Sequence, residues 1–397
     1  MINLITSIIN KNIFSLDLAT QAYFCHRNSK TKKALKSLFA IDPIKDFDSF
    51  RKAVIDFKQT KTKAEWLGLN EIAGDSSLYG HLHALCQYAN IQYRDHSRLL
   101  LPAIEHGISW IDKEMPSDSF PYTHCIVSQG PYRHSAIRKQ APSIPHYIIG
   151  PYIHYAKSYY SKEELTAIKK IWGKTLLVFP AHTYESSRNE YSQEQYVANL
   201  LKELSSHFDT IVVSSYWNDV DDPIISLFAS YGAIIVSSGM REDFNFLPRL
   251  KSLIWLADAT TGNVLGTNVG YSLYYNKPFL FFDGNSNVYF KDSTYTSQEN
   301  DHISKEIKRI NEYGAQLFNT LEPDKITQSH QMTFYERYWG GDSYILSPAE
   351  MKALFAISKK ALNYTHGNIS LFAKAYERIL SETTSITEKR ILQAAMS

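Results

Sequence analysis

The segment Thr260-Thr261-Gly262-Asn263-Val264-Leu265-Gly266-Thr267-Asn268 places hydroxyls, carboxamides and flexible backbone N–H groups just ahead of an apolar stretch. If a helix begins there, its first N–H groups are unpaired and carry partial positive charge, which suits a phosphate or another anion. Asn263, Gly266 and Thr267 are the residues expected to touch it. A Gly- and Asn-rich turn before a capped helix is the competing reading.

A second group is Ile104-Glu105-His106-Gly107, a turn that follows the apolar run Leu99-Leu100-Leu101. An imidazole there titrates near neutral pH, which is what removing a proton from a hydroxyl needs. His106 is therefore a candidate base, with Glu105 as a substitute base or as the group that orients it. The histidine could equally cap a strand. A third group is Phe179-Pro180-Ala181-His182-Thr183-Tyr184-Glu185-Ser186-Ser187-Arg188. Here His182, Ser186, Ser187 and Arg188 could donate hydrogen bonds to charge developing on a leaving group. Ser237-Ser238-Gly239-Met240-Arg241 adds Gly239 and Arg241, and Arg249 is a further candidate phosphate partner, a solvated arginine being the commoner outcome.

Two tempting signals are rejected. Asp219-Val220-Asp221 has the form of a metal-binding acidic pair, but Asn218, Asp222 and Pro223 around it fit a loop that starts a helix. His81-Leu82-His83 has no ligand partners at zinc spacing and reads as surface or packing histidines. No metal is expected.

These groups need elements to position them. Apolar runs ending in polar or glycine turns recur at Arg98–Leu101, His124–Val127 and Tyr147–Ile149. They recur again at Thr175–Phe179, Thr210–Ser214, Ala233–Val236 and Phe279–Phe282. Helical segments are expected between the later ones, over Ser192–Phe208, Pro223–Tyr231 and Phe246–Leu256. Such β-α alternation predicts parallel, doubly wound α/β sheets, with ligands at the carboxyl ends of strands. The stretch Trp255–Phe282 reads as the end of a helix, the polar loop, a short helix, and a strand opened by Lys277-Pro278. Two Rossmann-like domains are expected: 1–160 with a helical N-terminal part, and 161–345. Helices over 346–397 would pack back on the first.

Composition narrows the class. Hydrophobic residues at 44% and charged residues at 21% describe a folded chain, and a net charge of +2 leaves no footprint for nucleic acid. Cys25, Cys86 and Cys125 are too few and too scattered for a disulfide framework. The first residues lack a basic head with a clean apolar run, and no stretch approaches the roughly 18 apolar residues of a membrane span. The cytoplasm is the expected compartment, with contact at the inner face of the membrane left open.

The stretch Trp255–Phe282 resembles the donor-side loop of bacterial GT-B glycosyltransferases: a polar loop, Gly-Thr, a small aromatic helix, then Lys-Pro before a strand. The similarity extends more loosely over about residues 98–285. It includes the His-Gly pair of CDP-glycerol glycerophosphotransferases, where the histidine is regarded as the base; that role maps to His106. The following Ile108-Ser109-Trp110 departs from that family's small or polar residues. Ser128-Gln129-Gly130 also matches in place, with Tyr147–Tyr152 after it. Ser128 and Gly130 are thus candidates for the acceptor or cleft side, loop packing being the alternative. His182 falls where related enzymes touch donor phosphates, although Pro-Ala-His is an imperfect version of the His-Pro pair of some sialyl- and Kdo-transferases.

The resemblance implies a GT-B fold and a glycosyltransferase of bacterial surface polysaccharide (lipopolysaccharide or capsule) synthesis. Such an enzyme uses a nucleotide-sugar donor as substrate, a glycan or lipid-linked acceptor, and no cofactor, and displacement by one base would make it inverting. A CDP-polyol phosphotransferase, a nucleotide-sugar epimerase and a non-catalytic binding protein are the alternatives.

Overall fold

A computed structural model describes residues 29–59, 75–92, 102–105, 107–110, 112, 125–182, 187–190, 192–282, 287–290, 295–365, 368 and 371–396. In chain order the helices and strands begin with α1 (Ser29–Phe39), α2 (Phe47–Gln59), α3 (His81–Tyr88), β1 (Ala103–Ile104), β2 (Ile126–Ser128), α4 (Pro131–Gln140) and β3 (His146–Ile148). They continue with α5 (Lys162–Trp172), β4 (Thr175–Phe179), β5 (Ser187–Glu190), α6 (Gln193–Leu204), β6 (Thr210–Ser214), α7 (Pro223–Ser230) and β7 (Ile234–Val236). Then come α8 (Phe246–Leu256), β8 (Ala259–Gly262), α9 (Thr267–Tyr274), β9 (Phe279–Phe281) and β10 (Asn287–Phe290). The last are α10 (Ser297–Leu317), α11 (Lys325–Trp339), α12 (Pro348–Thr365), α13 (Phe372–Glu382) and α14 (Ile386–Met396).

Among the described residues two parallel sheets form. One has the order β1-β2-β3 and the other β7-β6-β4-β8-β9. A separate antiparallel pair, β10-β5, is formed by the strands that follow β9 and β4 in the chain. The strands of the second sheet are short because their apolar runs are short, and β4 is covered on both faces, so Leu176, Leu177 and Val178 are all buried. Capping sets the helix starts. Ser161 and Glu164 form a reciprocal capping box at α5, Thr296 and Glu299 form another at α10, and Asp222 accepts from the Ile224 N–H ahead of Pro223 at α7.

The C-terminal helices return to the first sheet. α14 packs on β3, α12 packs on α3, and Leu346 N donates to the Tyr155 hydroxyl at 3.0 Å. Two parallel α/β sheets, with C-terminal helices packing back on the first, are the arrangement expected from the sequence. One continuous apolar core joins them, since Val127 and Tyr147 of the first sheet and Leu177 and Val212 of the second belong to the same buried cluster. Tyr159 and Tyr160, at the expected division, donate backbone N–H groups to Ser252 Oγ on α8 at 3.0 and 3.4 Å.

The N-terminal helices differ from the expectation that they accompany the first sheet. α1 and α2 bury Leu35, Leu38, Phe50, Val54 and Phe57 with Val220 and Met240 of the second unit, and Ser237 N donates to the Pro43 carbonyl. Amphipathic helices of this kind carry no signal in sequence for which sheet they will cover.

Candidate functional site

The second sheet reverses direction at β4. The chain passes from β4 to β6 and β7 on one side, then crosses back to β8 and β9 on the other. In open α/β sheets the crevice outside the carboxyl ends of two such strands is where ligands bind. The residues that leave β4 and β8 are Pro180-Ala181-His182 and Asn263 to Thr267. Two of the groups singled out in the sequence are therefore neighbours. Asn263 is fully buried and its Oδ1 accepts a hydrogen bond from Ala181 N at 2.8 Å, tying the two loops together.

The polar loop itself is only partly a loop. Ala259–Gly262 form a fully buried strand paired with both β4 and β9. The Thr260 hydroxyl donates to Ser272 Oγ at 2.9 Å and the Thr261 hydroxyl to the Leu280 carbonyl at 2.9 Å, so both are spent inside the fold. The polar residues beyond the strand begin with the buried Asn263. From there α9 starts with Gly266 at its N-cap, which supplies no side-chain oxygen to the first turn. An anion at this position would accept from those N–H groups. Any side chain on Gly266 would strike the Asn268 carboxamide, whose Oδ1 lies 2.7 Å from where a Cβ would sit. Asn268 Nδ2 is buried, and among the described residues it has no acceptor. Its carboxamide lies within the polar segment read from the sequence, but only the surroundings of Nδ2 single it out.

His182 is half-buried and lies against Tyr216, the ring centroids 4.4 Å apart. Burial pushes its pKa down to about 4, so at neutral pH the ring is uncharged and acts as an N–H donor or acceptor, not as a cation.

The first sheet reaches this crevice directly. Ile108 N donates to Thr267 Oγ1 at 2.9 Å, and the Trp110 indole N–H donates to the Leu265 carbonyl at 3.3 Å. Leu265 N in turn donates to Asn311 Oδ1 on α10 at 3.2 Å. The turn after β1 and the loop after β8 are thus in direct contact through Ile108 and Trp110. His106 and Ser186 lie outside the described residues. Ser187 and Arg188 are described only as backbone of β5.

Other candidates turn inward. Glu105 is buried and paired with the buried Arg133, Nε to Oε1 at 2.7 Å. Ser128 is fully buried, with its Oγ 2.8 Å from His146 Nε2, and His146 stacks on His134 at 4.7 Å. Burial lowers the pKa of both histidines, most strongly for His146. Gly130 packs against the backbone of Tyr338, leaving no room for a Cβ. Ser128 and Gly130 therefore follow the loop-packing alternative, because α11 runs over the carboxyl ends of β2 and β3.

Gly239 has a φ of +99° and a Cβ there would meet Arg249 Nη1 at 2.7 Å. Arg249 is neither solvated nor a phosphate partner: it is fully buried, ion-paired with the buried Asp243, and lies over the Tyr159 ring at 4.7 Å. Arg241 is half-buried and pairs with Glu242 at 2.7 Å.

The rejected signals have structural roles. Asp221 pairs with Lys58 at 2.9 Å, and Asp222 caps α7. His81 meets the Tyr152 ring edge-on at 4.8 Å and His83 stacks on Phe244 at 4.7 Å. Cys86 and Cys125 are buried free thiols pushed up to about 12 by burial, and Cys25 lies outside the described residues. Among the described residues no helix is long and apolar enough to cross a membrane.

No protein-family model and no curated protein match the chain. Among solved structures it is similar to Medicago truncatula UGT71G1 complexed with UDP-glucose, at 14% identity over 88% of this chain and 82% of that one. The TM-score is 0.29, too low for the likeness to carry any inference about this chain.

Proposed function

We propose that the protein is a glycosyltransferase that moves a sugar from a nucleotide-activated donor to a glycan or glycolipid acceptor, in the synthesis of a bacterial surface polysaccharide. The observation that carries this is the crevice between β4 and β8. There the uncapped N-terminus of α9, the Asn268 Nδ2 that has no acceptor among the described residues, and the neutral His182 gather beside Asn263, and the turn after β1 abuts them through Thr267. A sugar-linked diphosphate needs such a set of fixed donors, because its leaving group gathers negative charge as the glycosidic bond breaks.

In this scheme His106 removes the proton from the acceptor hydroxyl. The oxygen forms a bond to the anomeric carbon while the bond from that carbon to the donor phosphate breaks. The leaving nucleotide takes the electron pair, and donors around Asn263–Thr267 and Asn268 hold its charge. One displacement by one base inverts the anomeric centre. These donors take on the stabilisation of charge, so metal is not obligatory in the scheme.

The test is a panel of UDP-, GDP- and CMP-sugars. Turnover of one donor, abolished by His106→Ala while nucleotide binding is retained, supports the proposal. Asn268→Ala should weaken nucleotide binding by about tenfold, the worth of one hydrogen bond to a charged group. Binding without turnover on any donor would favour a non-catalytic protein, transfer of glycerol phosphate a polyol phosphotransferase. Turnover that stops when divalent cations are chelated would remove the metal-independent part of the scheme.

A further inference from the structure

A pocket of about 600 Å³ opens between α4 on one side and α10 and α11 on the other. Trp110 is shared between this pocket and the crevice described above: it lines the pocket, and its indole N–H holds the Leu265 carbonyl. Tyr132 forms an adjoining wall, fixed by donating its hydroxyl to the Trp110 carbonyl at 2.8 Å. The pocket thus lies a single side chain away from the loop that would hold the donor.

Its charged groups are unevenly matched. Lys139, Arg309 and Arg337 line it together with Asp112 and Glu306. Glu306 is engaged by Arg309 at 2.9 Å. Arg337 lies over the rings of Tyr132 and Tyr338, at 5.6 and 5.5 Å, and among the described residues neither it nor Lys139 is within ion-pair distance of a carboxylate. Both are exposed. Two cations that no carboxylate among the described residues neutralises therefore stand on opposite walls, one on α4 and one on α11. Flat aromatic surface lies between them, and carboxylates capable of accepting from hydroxyl groups lie nearby.

We infer that this pocket is the acceptor subsite and that its ligand is a saccharide bearing an acidic group, which rests on the transferase proposal above. The aromatic walls take the apolar face of a pyranose. Asp112 and Glu306 accept from its hydroxyls, and the acid pairs with Lys139 and Arg337, where a guanidinium can offer two parallel donors. A neutral sugar gains only the first two of these interactions.

The experiment titrates the full chain with N-acetylneuraminate, glucuronate and glucose phosphate, with glucose as the neutral control, following amide chemical shifts. The acidic sugars are expected to shift residues of α4 and α11 and to bind at least about tenfold more tightly than glucose. The comparison between carboxylate and phosphate sugars identifies the acid. Lys139→Ala/Arg337→Ala, which changes only exposed side chains, is expected to abolish that preference and to leave nucleotide binding unchanged. Equal affinity for glucose, absence of shifts at the pocket with every acid, or a preference that survives in the double variant would each overturn the inference. Loss of nucleotide binding by the unmodified chain would instead sink the transferase proposal, and the acid preference at the pocket would still be measurable.

Discussion

Thr267 Oγ1 accepts a hydrogen bond from Ile108 N at 2.9 Å, and this bond joins the first turn of α9 to the loop that leaves β1. Trp110 and Asn311 grip Leu265 from either side, so the loop after β8 is held by both the first sheet and α10. The two halves of the proposed site cannot move independently without breaking these contacts.

The threonine hydroxyl is testable. Thr267→Val should lower unfolding free energy by about 1 kcal/mol, the net worth of one such hydrogen bond, and Thr267→Ser should cost far less. Urea unfolding of the two variants checks this. A larger loss in Thr267→Ser than in Thr267→Val would show that the methyl group and not the hydroxyl matters.

Gly270 on α9 faces the ring of Trp339, a fully buried side chain at the end of α11, and an added Cβ would collide with the ring carbons. The ring cannot retreat, because Phe334, Tyr335 and Tyr338 pack around it. Gly270→Ala gains helix propensity but overpacks the contact, with an expected net loss of about 1–3 kcal/mol. Differential scanning calorimetry reads the result. A variant as stable as the parent would mean that α9 and α11 slide apart without cost.

Glu105 and Arg133 are both buried, and their ion pair anchors the end of β1 to α4. Arg133→Met leaves a buried carboxylate without its cation and is expected to cost about 3–5 kcal/mol. Glu105→Gln/Arg133→Met, which removes both charges, should recover a large part of that loss. A double variant no better than Arg133→Met would show that the arginine acts through packing alone.

How far the sequence revealed this site depended on whether a residue's neighbours came from nearby or distant segments. TLLVF and TIVVS became β4 and β6 because buried parallel strands are continuous apolar runs. Thr260-Thr261-Gly262 read as loop because its polarity was taken as exposure. Threonine is β-branched and suits a strand, and its hydroxyls found partners on α9 and β9 that no local pattern announces. Arg249 and Ser128 looked like site residues for the same reason: their partners Asp243 and His146 are visible only in the fold. The helices α10 and α11, which supply half of the pocket, were not anticipated. The Thr296-x-x-Glu299 capping box and the Asp324 cap were readable signals for them.

The remaining prediction concerns His182, which burial pushes from 6.5 down to about 4. As pH falls through 6.5, the unfolded chain takes up a proton on this ring, and the folded chain does not until about 4. The folded state thus binds fewer protons across that window, and stability falls as pH is lowered through it. His134 and His146 act in the same sense, so the informative quantity is a difference between proteins. His182→Phe keeps a ring against Tyr216 and cannot titrate. Its stability should fall less steeply between neutral pH and about 4 than that of the parent. Parallel urea midpoints across the range would mean that the folded imidazole titrates normally. The leaving-group contact assigned to it would then have to be made by a partly charged ring, and turnover would carry that titration in its pH profile.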